Sequence, residues 1–113
     1  MAARNSLSEA PPHAVESALR RLGQDLRTAR LRRNLTLDEV AGKIGAGRRA
    51  VSDAERGKPT TSVATYAALL WSFGLLERFG DLADPGRDVE GTTLARTKER
   101  ARARSTQALN NDF

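Results

Sequence analysis

Residues 36–57, TLDEVAGKIGAGRRAVSDAERG, constrain the fold of this chain more than any other stretch. Thr36 is suited to cap a helix, because its hydroxyl can accept from the unpaired N–H groups of a first turn. Glu39, three residues on, can reach back and complete a capping box, and Leu35 and Val40 stand at the two positions of a hydrophobic staple. Val40, Ala41 and Ile44 then recur at helical spacing on one face. Gly45 can take the left-handed conformation that ends such a helix. Ala46 and Gly47 leave room for a sharp turn, and Arg48–Glu55 reads as a second helix with Val51 and Ala54 inward. The expected unit is helix, glycine-containing turn, helix, with the rest of the chain as its support.

Before this pair, a helix is expected from His13 to Arg33, with Val15, Ala18, Leu19, Leu22, Leu26 and Ala29 as its apolar stripe. Arg20, Arg21, Arg27, Arg32 and Arg33 fill much of its remaining surface, and a solvated basic face is the plain reading of them. After Gly57, Lys58–Thr61 reads as a loop and Ser62 as a cap. Val63, Tyr66, Ala67, Leu69, Leu70 and Phe73 fit the inner side of a fourth helix ended by Gly74. Leu75, Leu76, Phe79 and Leu82 suggest a short fifth helix, followed by a break at Asp84-Pro85-Gly86. Trp71 either lies partly over its own core or serves as an exposed anchor for a dimer or partner contact.

The expected organisation is a disordered segment over residues 1–12, an all-α domain over 13–84, and a basic tail over 85–113. Thr93–Arg104 of that tail, TLARTKERARAR, carries five basic residues against Glu99. Its composition favours helix, but alone it would be marginal. The tail is therefore either a disordered, solubilising extension or a segment that orders on a partner or on DNA.

Charge and composition narrow the function. A chain of 113 residues with a formal net charge of +5 suits a polyanionic partner. Without cysteine there is neither a disulfide framework nor a thiolate metal site. The start, MAARNSLSEAPPH, has no apolar stretch of the signal-peptide kind, and the run Val63–Leu76 is too short to span a bilayer. A soluble, cytoplasmic protein without membrane contact is expected. His13 is the single histidine, and no phosphate loop, metal-ligand set or nucleophile–base pair is visible. No enzyme activity, metal or cofactor is therefore expected.

Leu26-Arg27, Arg30, Thr36, Val40-Ala41, Ile44-Gly45, Val51-Ser52 and Glu55-Arg56-Gly57-Lys58 together resemble the phage repressor/Cro/Xre class of helix-turn-helix domains. The likeness continues through Ser62 to Gly74. It implies a lambda-repressor-like five-helix bundle whose second and third helices form the DNA-binding pair. In such a pair the N-terminal residues of the second helix meet base edges in the major groove. Carried over by position, these are Arg48, Arg49, Ser52 and Asp53. Paired arginines suit guanine O6 and N7. Asp53 could accept from cytosine N4 or hold the Arg49 guanidinium, and the second role is preferred. Thr36, Arg56 and Lys58 are expected at phosphates, which position without specifying. The resemblance also pairs Arg30 with Glu55. Two positions depart from the class: Leu37 replaces a usual glutamine and Gly47 a usual serine cap.

The class further implies a homodimer on a palindromic operator, with Leu75, Leu76, Phe79 and Trp71 as the surface for the second copy or a partner. A lone domain with a charged tail looks most like the HipB-type antitoxins, which repress their own operon and bind a HipA-type kinase toxin. In that reading Arg96, Arg100 and Arg104, four apart, share one face of the tail toward the kinase, with Phe113 as a terminal anchor. The alternatives are a stand-alone phage-type or chromosomal regulator, and an interaction adaptor that does not read DNA.

Overall fold

The computed structural model describes residues 6–111, with side chains through Leu109. The expected anchor Phe113 lies outside the described residues, as do positions 1–5 of the segment expected to be disordered. Among the described residues all regular structure is helical: α1 (Ser6–Glu9), α2 (His13–Arg32), α3 (Leu37–Ile44), α4 (Arg48–Glu55), α5 (Val63–Ser72), a 3-10 turn (Glu77–Asp81) and α6 (Val89–Asn111). Residues up to Phe79 form one compact unit and those from Gly80 onward a second.

The core of the first unit draws on four helices. Leu26 and Ala29 come from α2, Val40 and Ala41 from α3, Val51 and Ala54 from α4, and Tyr66, Leu69 and Phe73 from α5 and its cap. Helices of eight residues, as α3 and α4 are, fall short of the roughly 12–15 needed for even marginal stability alone. They persist because burying each Val or Leu side chain stabilises by roughly 1.5–3 kcal/mol. The stripe of α2 is shorter than its sequence suggests. Leu19 and Leu22 pack against the core, whereas Val15 is 42% exposed and Ala18 is exposed too. Val63 likewise stands 68% exposed at the first position of α5 instead of facing inward.

Three elements differ in detail from the expected outline. Ser6–Glu9, within the segment expected to be disordered, forms one helical turn closed by the Ala10 N–H on the Ser6 carbonyl at 2.8 Å. The fifth helix of the bundle is a 3-10 turn of five residues. It is confined between Gly74, at φ 73°, and the turn in which the Gly86 N–H donates to Asp84 Oδ1 at 3.0 Å. The tail is a continuous α-helix of 23 residues, longer than its Thr93–Arg104 middle. Asp88 explains its start, since its Oδ1 accepts from the Gly91 N–H at 2.9 Å and supplies an N-cap. Apart from half-buried Gly91, every described side chain of α6 is exposed.

Candidate nucleic-acid interface

The interface is built from the α3–α4 pair outward. Thr36 Oγ1 accepts from the Glu39 N–H, and Glu39 Oε1 accepts from the Thr36 N–H, both at 3.1 Å. This is the full capping box. The Thr36 hydroxyl, which accepts in that box, can still donate its proton to a phosphate oxygen. Gly45 ends α3 at φ 72°, and the Ala46 N–H returns to the Ala41 carbonyl at 3.0 Å. Gly47, extended at φ −77° and ψ 153°, leads into α4 without a side-chain cap.

Three contacts hold α4 from behind. Val51 and Ala54 are fully buried. Arg30 donates twice to Glu55, from Nε to Oε2 at 2.7 Å and from Nη2 to Oε1 at 3.0 Å, and its Nη1 donates to the Leu35 carbonyl at 2.9 Å. The two side chains are 10% and 9% exposed. The hydrogen bonds to Glu55 raise the Arg30 pKa further above its already high value, outweighing burial, which lowers it. One guanidinium thus joins α2, the end of α4 and the stretch of chain entering α3.

The third contact is backbone on backbone. A Cβ added at Gly23, in the middle of α2, would sit 2.6 Å from the carbonyl oxygens of both Ala54 and Glu55. One added at Gly57, at φ 68°, would sit 2.5 Å from the Leu19 carbonyl oxygen. The two glycines let α2 press directly on the end of α4. Sequence reasoning missed Gly23, although a glycine inside a helix, disfavoured by about 1 kcal/mol relative to alanine, was a signal.

On the outer side, Arg48 and Arg49 stand exposed in the first turn of α4. Arg48 Nη1 is 3.9 Å from Asp38 Oδ2, both side chains largely in solvent. Such a pair is worth little and yields readily to another acceptor. Asp53 does not hold Arg49, contrary to expectation. Asp53 Oδ1 instead takes Arg56 Nη2 at 3.2 Å and Lys58 Nζ at 3.3 Å. Arg49 lies nearer the start of α4, whereas the turn at Gly57 folds Arg56 and Lys58 back beside Asp53. Ser52 is half-buried, and its Oγ accepts from Arg56 Nη2 at 3.5 Å. The Tyr66 hydroxyl donates to the Lys58 carbonyl at 3.0 Å and fixes the loop. Burial pushes that hydroxyl above the ordinary tyrosine range, and the charge of Asp53 acts in the same direction.

Arg33, expected on a solvated basic face, and Lys43 are structural. Arg33 donates to the carbonyls of Ala29 at 2.9 Å and Phe73 at 3.0 Å, and lies 5.2 Å over the Phe73 ring. Lys43 donates to the Ser72 carbonyl at 3.2 Å. Both satisfy carbonyls at the end of α5, where cations are favoured. Of the candidate dimer residues, Trp71 is 58% exposed, Leu75 and Leu76 are exposed, and Phe79 is half-buried. Arg96, Arg100 and Arg104 lie exposed on α6. No cluster able to hold a metal ion occurs among the described residues, and none of their helices is long and apolar enough to cross a membrane.

Two packed short helices, a left-handed glycine between them and an outward arginine pair define a helix-turn-helix protein. The profile of the helix-turn-helix domain family matches residues 21–78, just over half of the chain, and the chain belongs to that family. It is 38% identical over 53 residues to the uncharacterised HTH-type transcriptional regulator y4mF of Sinorhizobium fredii, covering 47% of this chain and 70% of that protein. No solved structure matches the chain significantly.

Proposed function

We propose that this helix-turn-helix DNA-binding regulator is a sequence-specific repressor acting as a twofold dimer on a palindromic operator. The observation that carries the reading is the pair of exposed guanidiniums at the start of a helix whose opposite side is fully buried. Arg48 and Arg49 donate to guanine O6 and N7, a bidentate contact that discriminates by roughly 1–3 kcal/mol against the wrong base. Ser52 reaches the same groove. Asp53, paired with Arg56 and Lys58, orients those two cations toward phosphates, beside Thr36 at the start of α3. Leu75, Leu76, Phe79 and Trp71 join the two copies, so that half-sites fall about one helical turn, roughly 34 Å, apart.

Titrations of operator and scrambled duplexes test this reading. Arg48→Ala and Arg49→Ala each reduce discrimination by roughly 1–3 kcal/mol, whereas Lys58→Ala weakens both duplexes about equally. Retention of wild-type discrimination by both arginine variants would contradict it. Sedimentation at micromolar concentration is expected to give a dimer.

The resemblance to HipB-type antitoxins supports a finer role: the repressor controls its own operon and binds a HipA-like kinase toxin against the sides of the dimer, away from α4. Co-purification with the product of the neighbouring gene tests it. A repressor that binds its operator but captures no kinase is a stand-alone regulator. A chain without salt-dependent DNA affinity is an adaptor.

A further inference from the structure

α6 carries five basic residues, Arg96, Lys98, Arg100, Arg102 and Arg104, and two carboxylates, Glu90 in its first turn and Glu99. At 3.6 residues per turn these cations do not form one patch. Arg96, Arg100 and Arg104 make one row along the helix, and Lys98 and Arg102 make another, about 180° away on the opposite side of the axis. Between the rows on one side lie Leu94, Ala101, Ser105 and Ala108, mostly small. Between them on the other side lie Thr92, Ala95, Ala103 and Thr106, also small, with Glu99, while Glu90 in the first turn falls on the side of Leu94. Every one of these side chains is exposed.

We infer that α6 is a second DNA-binding element, a sequence-blind helix that lies in a major groove of the duplex. The inference rests on the DNA-binding reading above. A major groove about 12 Å wide admits an α-helix and has phosphates on both walls. Two opposed basic rows match that cross-section: each row meets one wall, the side that carries no carboxylate from Leu94 to Ala108 approaches the floor, and Glu99 turns away. An acidic protein groove that used only the Arg96 row would leave Lys98 and Arg102 unpaired, so the charge distribution favours duplex DNA over a protein partner. The contacts are cation to phosphate and carry no base preference. Tethering to a domain already on DNA makes the second contact intramolecular, which raises its effective concentration.

Two comparisons on the full chain test the inference, both as titrations over a range of salt on operator and scrambled duplexes. Replacing all five cations by glutamine flattens the dependence of log K on log salt by roughly 3–5 per protomer, at about 0.9 for each phosphate no longer neutralised. Operator and scrambled affinities fall together, so their ratio stays as in wild type. The second comparison separates a docking face from net charge alone. Ala101→Glu, on the floor-facing side, brings a carboxylate into the negative potential of the groove and weakens binding about tenfold on both duplexes, whereas Ala103→Glu, on the far side, changes it less than about twofold. An unchanged salt slope in the glutamine variant, or equal effects of the two glutamates, overturns the inference while leaving the α4 reading intact. A wild-type protein that binds no DNA overturns both. One that binds DNA but cannot tell operator from scrambled duplex, with α6 behaving as described, removes the α4 reading and supports the role of α6.

Discussion

α4 and α6 are both arginine-bearing helices, yet they are held by opposite means. α4 has eight residues, too few to stand alone. It exists because Val51 and Ala54 are fully buried, because Arg30 holds Glu55 at 2.7 Å, and because α2 meets its end backbone to backbone. α6 has 23 residues, an Asp88 cap and good helix formers, but its described side chains reach no core. Length therefore does not measure rigidity in this molecule. A side chain on α4 is carried at a position fixed by three other helices, which is what base-edge hydrogen bonds need. A side chain on α6 is fixed only relative to its own helix, which suffices for phosphates.

The largest expected effect comes from breaking what holds α4. Glu55→Ala leaves the Arg30 charge buried and unpaired, and urea denaturation should show a loss of roughly 3–5 kcal/mol. Arg20→Ala, which removes the exposed pair with Glu16, is the contrast, at roughly 0.3–0.5 kcal/mol. Next comes the backbone contact. Gly23→Ala places a methyl 2.6 Å from two carbonyl oxygens, and thermal melting should report a loss of about 1–3 kcal/mol. Local propensity points the other way, since alanine is the better helix former, so a stabilised variant would show that α2 and α4 are not in close contact.

A smaller effect concerns pH. The folded protein keeps the proton on Tyr66 to higher pH than the unfolded chain does, because burial disfavours the phenolate. Stability therefore falls as pH climbs past about 10. Tyr66→Phe should flatten that decline in urea titrations at pH 8 and above. The smallest effect is expected on α6, where replacing Arg96, Arg100 and Arg104 by glutamine changes the melting of the first unit by less than about 0.5 kcal/mol. A larger change would mean that the second unit contributes to the first.

The same contrast explains what could be read in the sequence. The α3–α4 pair was legible because its signals are local: Thr36 and Glu39 bond across three residues, and Gly45 ends a helix by its own backbone freedom. The Arg30–Glu55 pair spans 25 positions and came from family resemblance. What was not legible depends on where distant backbones meet. Gly23 gained its meaning from Gly57, Arg33 from the Phe73 carbonyl, and Asp53 from the turn that brings Lys58 back to it. The fifth helix was over-read because Leu75, Leu76, Phe79 and Leu82 keep helical spacing, yet Leu75, Leu76 and Leu82 are exposed and give that spacing no buried face to hold a longer helix. α6 was under-read because no apolar periodicity marks a helix without a core-facing side.

Amide hydrogen exchange with and without operator DNA tests the contrast between α4 and α6 most directly. In the free protein the amides of Val51, Ala54 and Glu55 should exchange only through opening near the global unfolding free energy, and those from Ala95 to Arg104 at close to the rate of an unstructured chain. Operator DNA should slow exchange along α6. Equal protection of the two helices in the free protein would contradict the account.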